Sequence, residues 1–388
     1  MGLPLVSDRS IMSSNRTYDV AIVGGGLAGL ALSIQLARKN YRICLFEKET
    51  YPFHKVCGEY ISMESWDFLT GLGLDLQGWN LPRIHQLYIT SPNGESIKEI
   101  LPLGGFGISR YKLDAALAVI ARDAGVDVFE NTKVHDVLFL DETHMIQSTA
   151  GLFTSKLATA CYGKKSNLDV KWKRRFMKNK GGQNYVAVKY HVRANLPENQ
   201  IALHNFPDGY CGISKIEDGK CCLCYLTTSE NLKNNHQSIP AMEDNILRQN
   251  PELRKLLDEV VNLYDEPVTI AQISFSKKTQ VENHVLCIGD SAGMITPLCG
   301  NGMSMALHAS KIGADSISQF LDQKITRDQM ENSYQKRWNQ LFAGRLRSGR
   351  IIQRFFGKAF LSVWLIRVLK PFPFLIRALI SRTHGEKF

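Results

Sequence analysis

Tyr18-Asp19-Val20-Ala21-Ile22-Val23-Gly24-Gly25-Gly26-Leu27-Ala28-Gly29 decides how this chain is read. Val20 to Val23 form a short, mostly β-branched apolar run, the composition of a strand covered on both faces. Three glycines follow directly. Gly24 permits a tight turn, Gly26 lets a pyrophosphate approach the backbone, and Gly29 lets the next helix pack close to the strand. Leu27, Leu30, Ala31, Ile34 and Ala37 then recur at the helical period, as one face. A second strand, Tyr41 to Phe46, ends on Glu47 and Lys48, and a carboxylate there can accept hydrogen bonds from both hydroxyls of an adenosine ribose. The helix start at Leu27 and Ala28 offers free N–H groups and a positive dipole end for phosphate. Strand, glycine turn, helix and terminal acid, in that order, predict dinucleotide binding rather than a structural turn.

Working outward, 388 residues suffice for two or more domains with a sizeable core. The hydrophobic share of 44% and charged share of 22% exclude a disordered or fibrous chain. Nine cysteines are scattered, and the one cluster, Cys221-Cys222-Leu223-Cys224, sits in a strand-like run. With no second Cys/His pair at a usable spacing, reduced cysteines are expected and no metal site. The N-terminus lacks a continuous apolar segment, so a cytoplasmic location is expected, and Met12 is a possible alternative start. The net charge of +10 belongs almost wholly to the tail: residues 344–388 carry ten cations against Glu386 alone.

In chain order, Tyr51 to Ser62 reads as a loop at the open end of a nucleotide-binding sheet, where ligands are met. It carries His54, Lys55, Cys57, Gly58 and Glu59. Cys57 reads as a small residue packed beside a ligand rather than a nucleophile, since no His partner is evident. Phosphate and solvent are both open for His54 and Lys55. Residues 82–103 read as short strands turning at Pro92-Asn93-Gly94. Arg110 opens a helix ending at Gly125, an unfavourable place for a cation unless a bound anion offsets it. Val134 begins another strand. Lys171-Trp172-Lys173-Arg174-Arg175 reads as a solvated loop, and no nucleic-acid partner is expected. From Tyr185 to Thr227 short alternating strands predict an antiparallel meander, followed by a helical stretch over 242–261. Val285 to Ile288 then delivers Gly289 and Asp290 to the sheet edge, Asp290 both capping and binding. Pro297, Gly300, Asn301, Gly302 and Met303 open a helix against which something planar can lie.

These motifs together resemble the flavoprotein superfamily that includes para-hydroxybenzoate hydroxylase and geranylgeranyl reductases. The resemblance rests on the glycine fingerprint, Arg110 in Arg-x-x-Leu-Asp, and Gly289-Asp290. Lys55-Val56-Cys57-Gly58-Glu59 and Gly289 to Gly293 followed by Pro297 and Gly300 to Met303 look closer to the reductase branch. It runs from about Tyr18 to Ile312 and implies FAD, with NAD(P)H or another electron donor. It implies that Glu47 holds the adenosine ribose, Arg110 and Asp290 the ribityl–pyrophosphate part, Val134 the adenine through its backbone, and residues 300–303 the flavin ring. Cys57, Gly58 and Tyr210 are the substrate-side candidates. Two departures stand out. Tyr162-Gly163 replaces the hydroxylases' Asp-Gly pair, and Tyr210 to Lys215 lacks the reductases' Trp and Phe-Pro. The Trp-x-Trp-x-Ile-Pro signature of flavin-dependent halogenases is also missing.

The expected fold is α/β: a glutathione-reductase-type, Rossmann-like FAD domain over 17–70, 101–175 and 275–320, interleaved with an antiparallel substrate domain over 71–100 and 176–274. Basic amphipathic helices fill 321–388. The expected activity is that of a FAD-dependent oxidoreductase on an apolar or aromatic small molecule, isoprenoid-, polyketide- or quinone-like. The alternatives are an aromatic hydroxylase and a non-enzymatic prenyl-protein-binding relative of the kind of Rab GDP-dissociation inhibitors. In the tail, Phe355, Phe356, Phe360, Val363 and Trp364 recur at helical spacing among basic residues, and Pro371 and Pro373 interrupt them. The charge-free run is too short to span a bilayer. Two expectations remain: a cap packed on the body, or a peripheral contact with anionic membrane.

Overall fold

The computed structural model describes residues 17–178, 184–356 and 358–388, without the side chains of 355, 356, 359 and 373. Met12 and the side chains of Phe355 and Phe356 therefore lie outside what is described. Elements are numbered in chain order.

The first sheet has eight strands. Five are parallel: β6 (Asp127–Phe129), β2 (Ile43–Phe46), β1 (Thr17–Val23), β9 (Gly151–Ala160) and β17 (Val285–Cys287), in that spatial order. β1 lies at the centre, with Val20 to Val23 paired to Ile43 to Phe46 on one side and to Leu157 to Ala160 on the other. β7 (Val134–Leu140) and β8 (Thr143–Ser148) branch from β9 as an antiparallel meander, and β16 (Val281–Glu282) edges β17. α1 (Leu27–Ala37) packs between α3 (Arg110–Asp123) and α8 (Gly302–Leu321). The periodicity suggested one apolar face for α1, yet every residue but Gln35 is buried. Leu32 and Leu36 fill its far side, so the helix is enclosed by its neighbours rather than half-solvated.

The second sheet has nine strands, ordered β14 (Val261–Asn262), β10 (Tyr185–Arg193), β13 (Cys221–Thr228), β12 (Gly209–Lys215), β11 (Gln200–Phe206), β4 (Arg83–Thr90), β5 (Ser96–Gly107) and β3 (Tyr60–Ser62), with β15 (Val268–Ile273) beside β10. Two expectations need correcting. The sheet is not wholly antiparallel, because β11 runs parallel to β4. The β4–β5 hairpin comes early in the chain and meets the meander edge-on only after an excursion through the first sheet. β3 and the 101–107 half of β5, read from sequence as part of the first domain, pair with each other in the second sheet.

One face of this sheet buries Val188, Phe206, Ile213 and Leu223 under α5 (Ser229–Asn234), α6 (Ile239–Asn245) and α7 (Pro251–Glu259). The single helix expected over 242–261 is broken because Asn250 caps a fresh start, accepting from Glu252 N and Leu253 N. The other face presents Leu203, Tyr210 and Leu226 towards Tyr60, Met294 and Leu298. α9 (Arg327–Phe356) packs along α8. α10 (Ala359–Leu369) and α11 (Pro373–Ser381) lie on the second sheet, with Ile366 and Ile376 buried against Ile97. Among the described residues no helix is long and apolar enough to cross a membrane.

Candidate cofactor and substrate site

The glycine turn is built for close approach. Gly24 has φ +108°, and a Cβ there would come within 2.6 Å of the Cys161 backbone at the end of β9. A Cβ on Gly29 would stand 2.0 Å from the Gly24 carbonyl, so α1 can seat on β1 only with glycine there. Gly26 differs. A Cβ there would meet only Arg110 Nη2 at 3.6 Å and Lys55 Nζ at 3.7 Å. Gly26 is also the N-cap of α1, with no side-chain cap and no acid in the first turn. The N–H groups of Leu27, Ala28 and Gly29 therefore have no intrahelical partner. Uncapped amides, two cations and a bare backbone converge, which is the donor set a pyrophosphate takes.

The cations are held in place. Arg110 forks Asp114 one helical turn on, Nε and Nη2 each 2.7 Å from its oxygens. Lys55 Nζ lies 3.2 Å from Asp114 and 3.6 Å from Glu47. Burial would raise the Asp114 carboxyl, but Arg110 and Lys55 outweigh it and hold it below its usual range. Glu47 follows β2, buried, and accepts from Gly25 N at 3.0 Å and Glu49 N at 3.2 Å. It thus braces the glycine turn. Sequence reasoning missed Tyr51, whose phenol donates to Gly25 O at 2.5 Å. Lys48 points elsewhere, 68% exposed and paired with Glu49. Val134 starts β7 buried, its carbonyl 3.5 Å from Asn167 Nδ2.

At the other end, β17 runs into a short turn, Gly289–Ser291. Asp290 makes no capping hydrogen bond there, so the expected capping role is not seen. Its carbonyl instead accepts from Lys278 Nζ at 2.9 Å, and Lys278 also donates to Lys164 O at 2.9 Å. Burial lowers the pKa of that lysine. The expectation of a solvated loop over 171–175 fails at Arg174, which is fully buried. Its guanidinium reaches Asp169 Oδ1, the Tyr162 phenol and Ser291 O, each at 3.0 Å, and Thr279 O at 2.8 Å. A turn at Pro297–Cys299 leads through Gly300, packed on the Tyr60 ring, to Asn301. Asn301 starts α8 with no side-chain cap, like Gly26 on α1, and its Nδ2 donates to Thr383 O at 2.8 Å. Gly302 and Met303 form the first turn, again without an acid.

The loop between the sheets carries Cys57 and Gly58. A Cβ on Gly58 would meet nothing within 4 Å, so space opens beside it. Next to it Glu59, fully buried at φ +55°, accepts from Arg110 N at 2.8 Å, Lys189 Nζ at 2.5 Å and His191 Nε2 at 2.6 Å. Burial would raise Glu59, but the His191 bond and the Lys189 charge more than offset it, and it stays ionised below its usual range. Cys222 Sγ donates to Cys57 O at 3.3 Å. Glu59, His191 and Cys222 are the one group with metal-ligand spacing among the described residues. The Lys189 ammonium already neutralises that carboxylate, and the group reads as a buried ion cluster. His54 stacks on Tyr111 with centroids 4.6 Å apart and abuts His191. Burial, then the Lys189 charge, lowers its pKa to about 4. The cluster left one signal in the sequence: Lys189 and His191 alternate on one face of an otherwise apolar strand. Tyr210, buried on β12, lies on the same face of the sheet as Lys189 and His191, in register with Leu226 and Ala187.

Comparison with known proteins agrees with this fold. Residues 22–56 match the model of an NAD(P)-binding Rossmann-like domain. The chain is 25% identical over 370 residues to conditioned medium factor receptor 1 of Dictyostelium discoideum, covering 84% of this chain and 68% of that protein. It is 22% identical to tryptophan 2-halogenase of Chondromyces crocatus, over 82% of this chain and 64% of that enzyme's length. Among solved structures, a flavin-dependent brominase superposes with a TM-score of 0.78 at 19% identity, covering 95% of this chain and 93% of that one. A geranylgeranyl bacteriochlorophyll reductase-like protein of Thermoplasma acidophilum gives 0.78 at 18%, covering 96% and 97%. The chain thus shares the overall fold of a flavin-dependent brominase and of a geranylgeranyl reductase-like protein.

Proposed function

We propose that this chain, built on the fold of FAD-dependent oxidoreductases, is itself such an enzyme and acts on an apolar or aromatic small molecule, in the manner of geranylgeranyl reductases. The observation that carries the cofactor is the convergence of Arg110, Lys55 and the uncapped start of α1 on Gly26. In this reading Arg110, Lys55 and the Leu27 and Ala28 amides bind the pyrophosphate, Glu47 the ribose, and the uncapped start of α8 at Asn301 to Met303 the ring. FAD, when bound, supplies the redox chemistry. The chain's part is to orient, to exclude water and to fix charge: Lys278 and Arg174 hold the Gly289–Ser291 turn, and Glu59 ties the cofactor loop to the second sheet.

The substrate class rests on the apolar group Leu203, Tyr210, Leu226, Met294 and Leu298, which shares its face of the second sheet with Lys189 and Cys222, the residues that hold the loop at Lys55 and Cys57. Halogenases among the relatives keep a second reading open, in which the substrate is oxygenated or halogenated instead.

Two measurements test this. Gly26→Val fills the space between Arg110, Lys55 and the helix start, and purified variant protein is expected to carry no flavin; wild-type flavin content in that variant would end the assignment. For the reaction, enzyme reduced without oxygen is mixed with geranylgeraniol or with an aromatic such as indole. Reoxidation of the flavin by the isoprenoid under anaerobic conditions supports reduction. Turnover that requires dioxygen transfers the assignment to the second reading.

A further inference from the structure

α10 carries large apolar side chains on both its inner and its outer face, with Arg367 as its one charge. Ser362 and Ile366 face the body and are buried, whereas Phe360, Trp364 and Val368, spaced by four, are 79%, 51% and 37% exposed. The pattern continues in α11, where Ile376 is buried and Phe374 and Leu375 are 64% and 39% exposed, with Phe372 at 45% just before. Ile366 and Ile376 rest on the same residue, Ile97 of β5, so both helices lie on one side of the sheet and turn their outer stripes away from it. Six large apolar side chains on two adjoining helices make a patch that a free surface does not keep. A helix with apolar residues on both faces is one whose second face is also covered.

Charge says what covers it. Residues 344–388 hold ten cations and one acid. Arg367 and Arg377 are tied to Glu95 and Glu99 on the body, and Lys358, Lys370 and Arg382 stand exposed beside the stripe. A second copy is a poor occupant, because an isologous contact would set this basic segment against itself. We propose that the outer face of α10 and α11 docks on an anionic lipid bilayer. Phe360, Trp364, Val368, Phe372, Phe374 and Leu375 enter the boundary between headgroups and acyl chains, and the cations sit over anionic headgroups. The docking neither requires the flavin nor follows from it.

The test uses the full chain and sedimentation with vesicles of phosphatidylcholine alone or mixed with phosphatidylserine. Wild type is expected to pellet with the mixed vesicles at low salt and to be released by high salt, with at least roughly tenfold weaker binding to phosphatidylcholine alone. Trp364→Ser with Phe374→Ser is expected to lower binding roughly tenfold or more while Tm stays at the wild-type value, since both side chains face outward. Lys370→Glu with Arg382→Glu provides an independent reading and is also expected to lose binding to mixed vesicles. Wild type remaining in the supernatant overturns the proposal. So does equal pelleting of either double variant, or light scattering that shows a wild-type dimer which Trp364→Ser with Phe374→Ser converts to monomer.

Discussion

Replacing Glu59 by Gln removes one charge from the cluster that joins the cofactor loop to the second sheet. The amide still accepts from Arg110 N and keeps the volume, so the change isolates charge. Lys189, 1% exposed, loses its only salt-bridge partner among the described residues. Breaking a buried pair from one side costs about 3–5 kcal/mol, because a buried charge is left uncompensated. Unfolding entropy near 2.1 cal/mol/K per residue gives roughly 0.8 kcal/mol/K for a chain of this length, so Tm should fall by about 4–6 °C. Adding Lys189→Met removes the orphaned charge and should restore most of the loss, since an ion pair and a packed apolar pair are close in stability. The sign with pH follows from the direction of the shift. Glu59 titrates below its usual value of 4.5 in the folded protein, so its contribution is complete above that value and disappears as pH falls through the folded pKa. Wild type and Glu59→Gln should therefore converge in acid. Thermal melts of the three proteins across pH decide the matter. A single variant within 1 °C of wild type at neutral pH, or a double variant no better than the single, would refute the reasoning.

Two further outcomes are expected. Burial lowers the pKa of His144, His204 and His308, like that of His54, to about 4. The unfolded chain therefore takes up these protons first, and stability should decline as pH falls from about 6.5 towards 4, visible as a Tm slope over that window and none above it. Arg174→Met breaks the buried contacts to Asp169, Tyr162 and Ser291 O and should cost about 3–5 kcal/mol in denaturant titration, with lower flavin retention because the Gly289–Ser291 turn loses its anchor. Stability within about 1 kcal/mol of wild type would show that Arg174 does not hold that turn.

The first sheet was legible because its signals are local. A β-branched run, a glycine turn and an acid at the next strand end are each fixed by a few adjacent residues, and all three fall where the spacing puts them. Arg110 stood out for the same reason, as a cation misplaced at a helix start, and the structure pairs it with Asp114 one turn on. What the sequence hid is what distance in the chain hides. Glu59 meets Lys189 and His191 across 130 and 132 residues, and Arg174 meets Ser291 across 117. No periodicity reports such a pairing. Arg174 stands in the densest basic run of the body, where charge alone argues for water; only the fold shows that one of the four cations turns inward to satisfy backbone carbonyls. The parallel meeting of β4 and β11 was hidden likewise, since a strand's pattern gives its buried face but not its neighbour.

The loop over 55–59 shows why those hidden pairings matter to the chemistry. Lys189 Nζ donates to Lys55 O at 3.1 Å, Lys164 Nζ to Val56 O at 3.1 Å, and Cys222 Sγ to Cys57 O at 3.3 Å. Glu59 then closes the run through Arg110 N, Lys189 and His191. Residues 55–57 and 59 are thus all fixed from elsewhere in the molecule, three of them by ammonium groups, whose hydrogen bonds contribute about 1.5–3 kcal/mol each. Gly58 alone is unheld, and it is where the open space lies. A reacting group placed there would meet a backbone that cannot relax away, and holding the first contacts by a buried second layer is what preorganisation requires. The C-terminal helices are secured differently. They reach the same apolar face through Ile352, Leu365 and Ile380, contacts without direction, and apart from the buried Asn301 bond to Thr383 O their ties from Arg367 and Arg377 to Glu95 and Glu99 are exposed ion pairs of little strength. If one side of the site yields to admit an apolar molecule, the directional bonds make it the tail and not the loop.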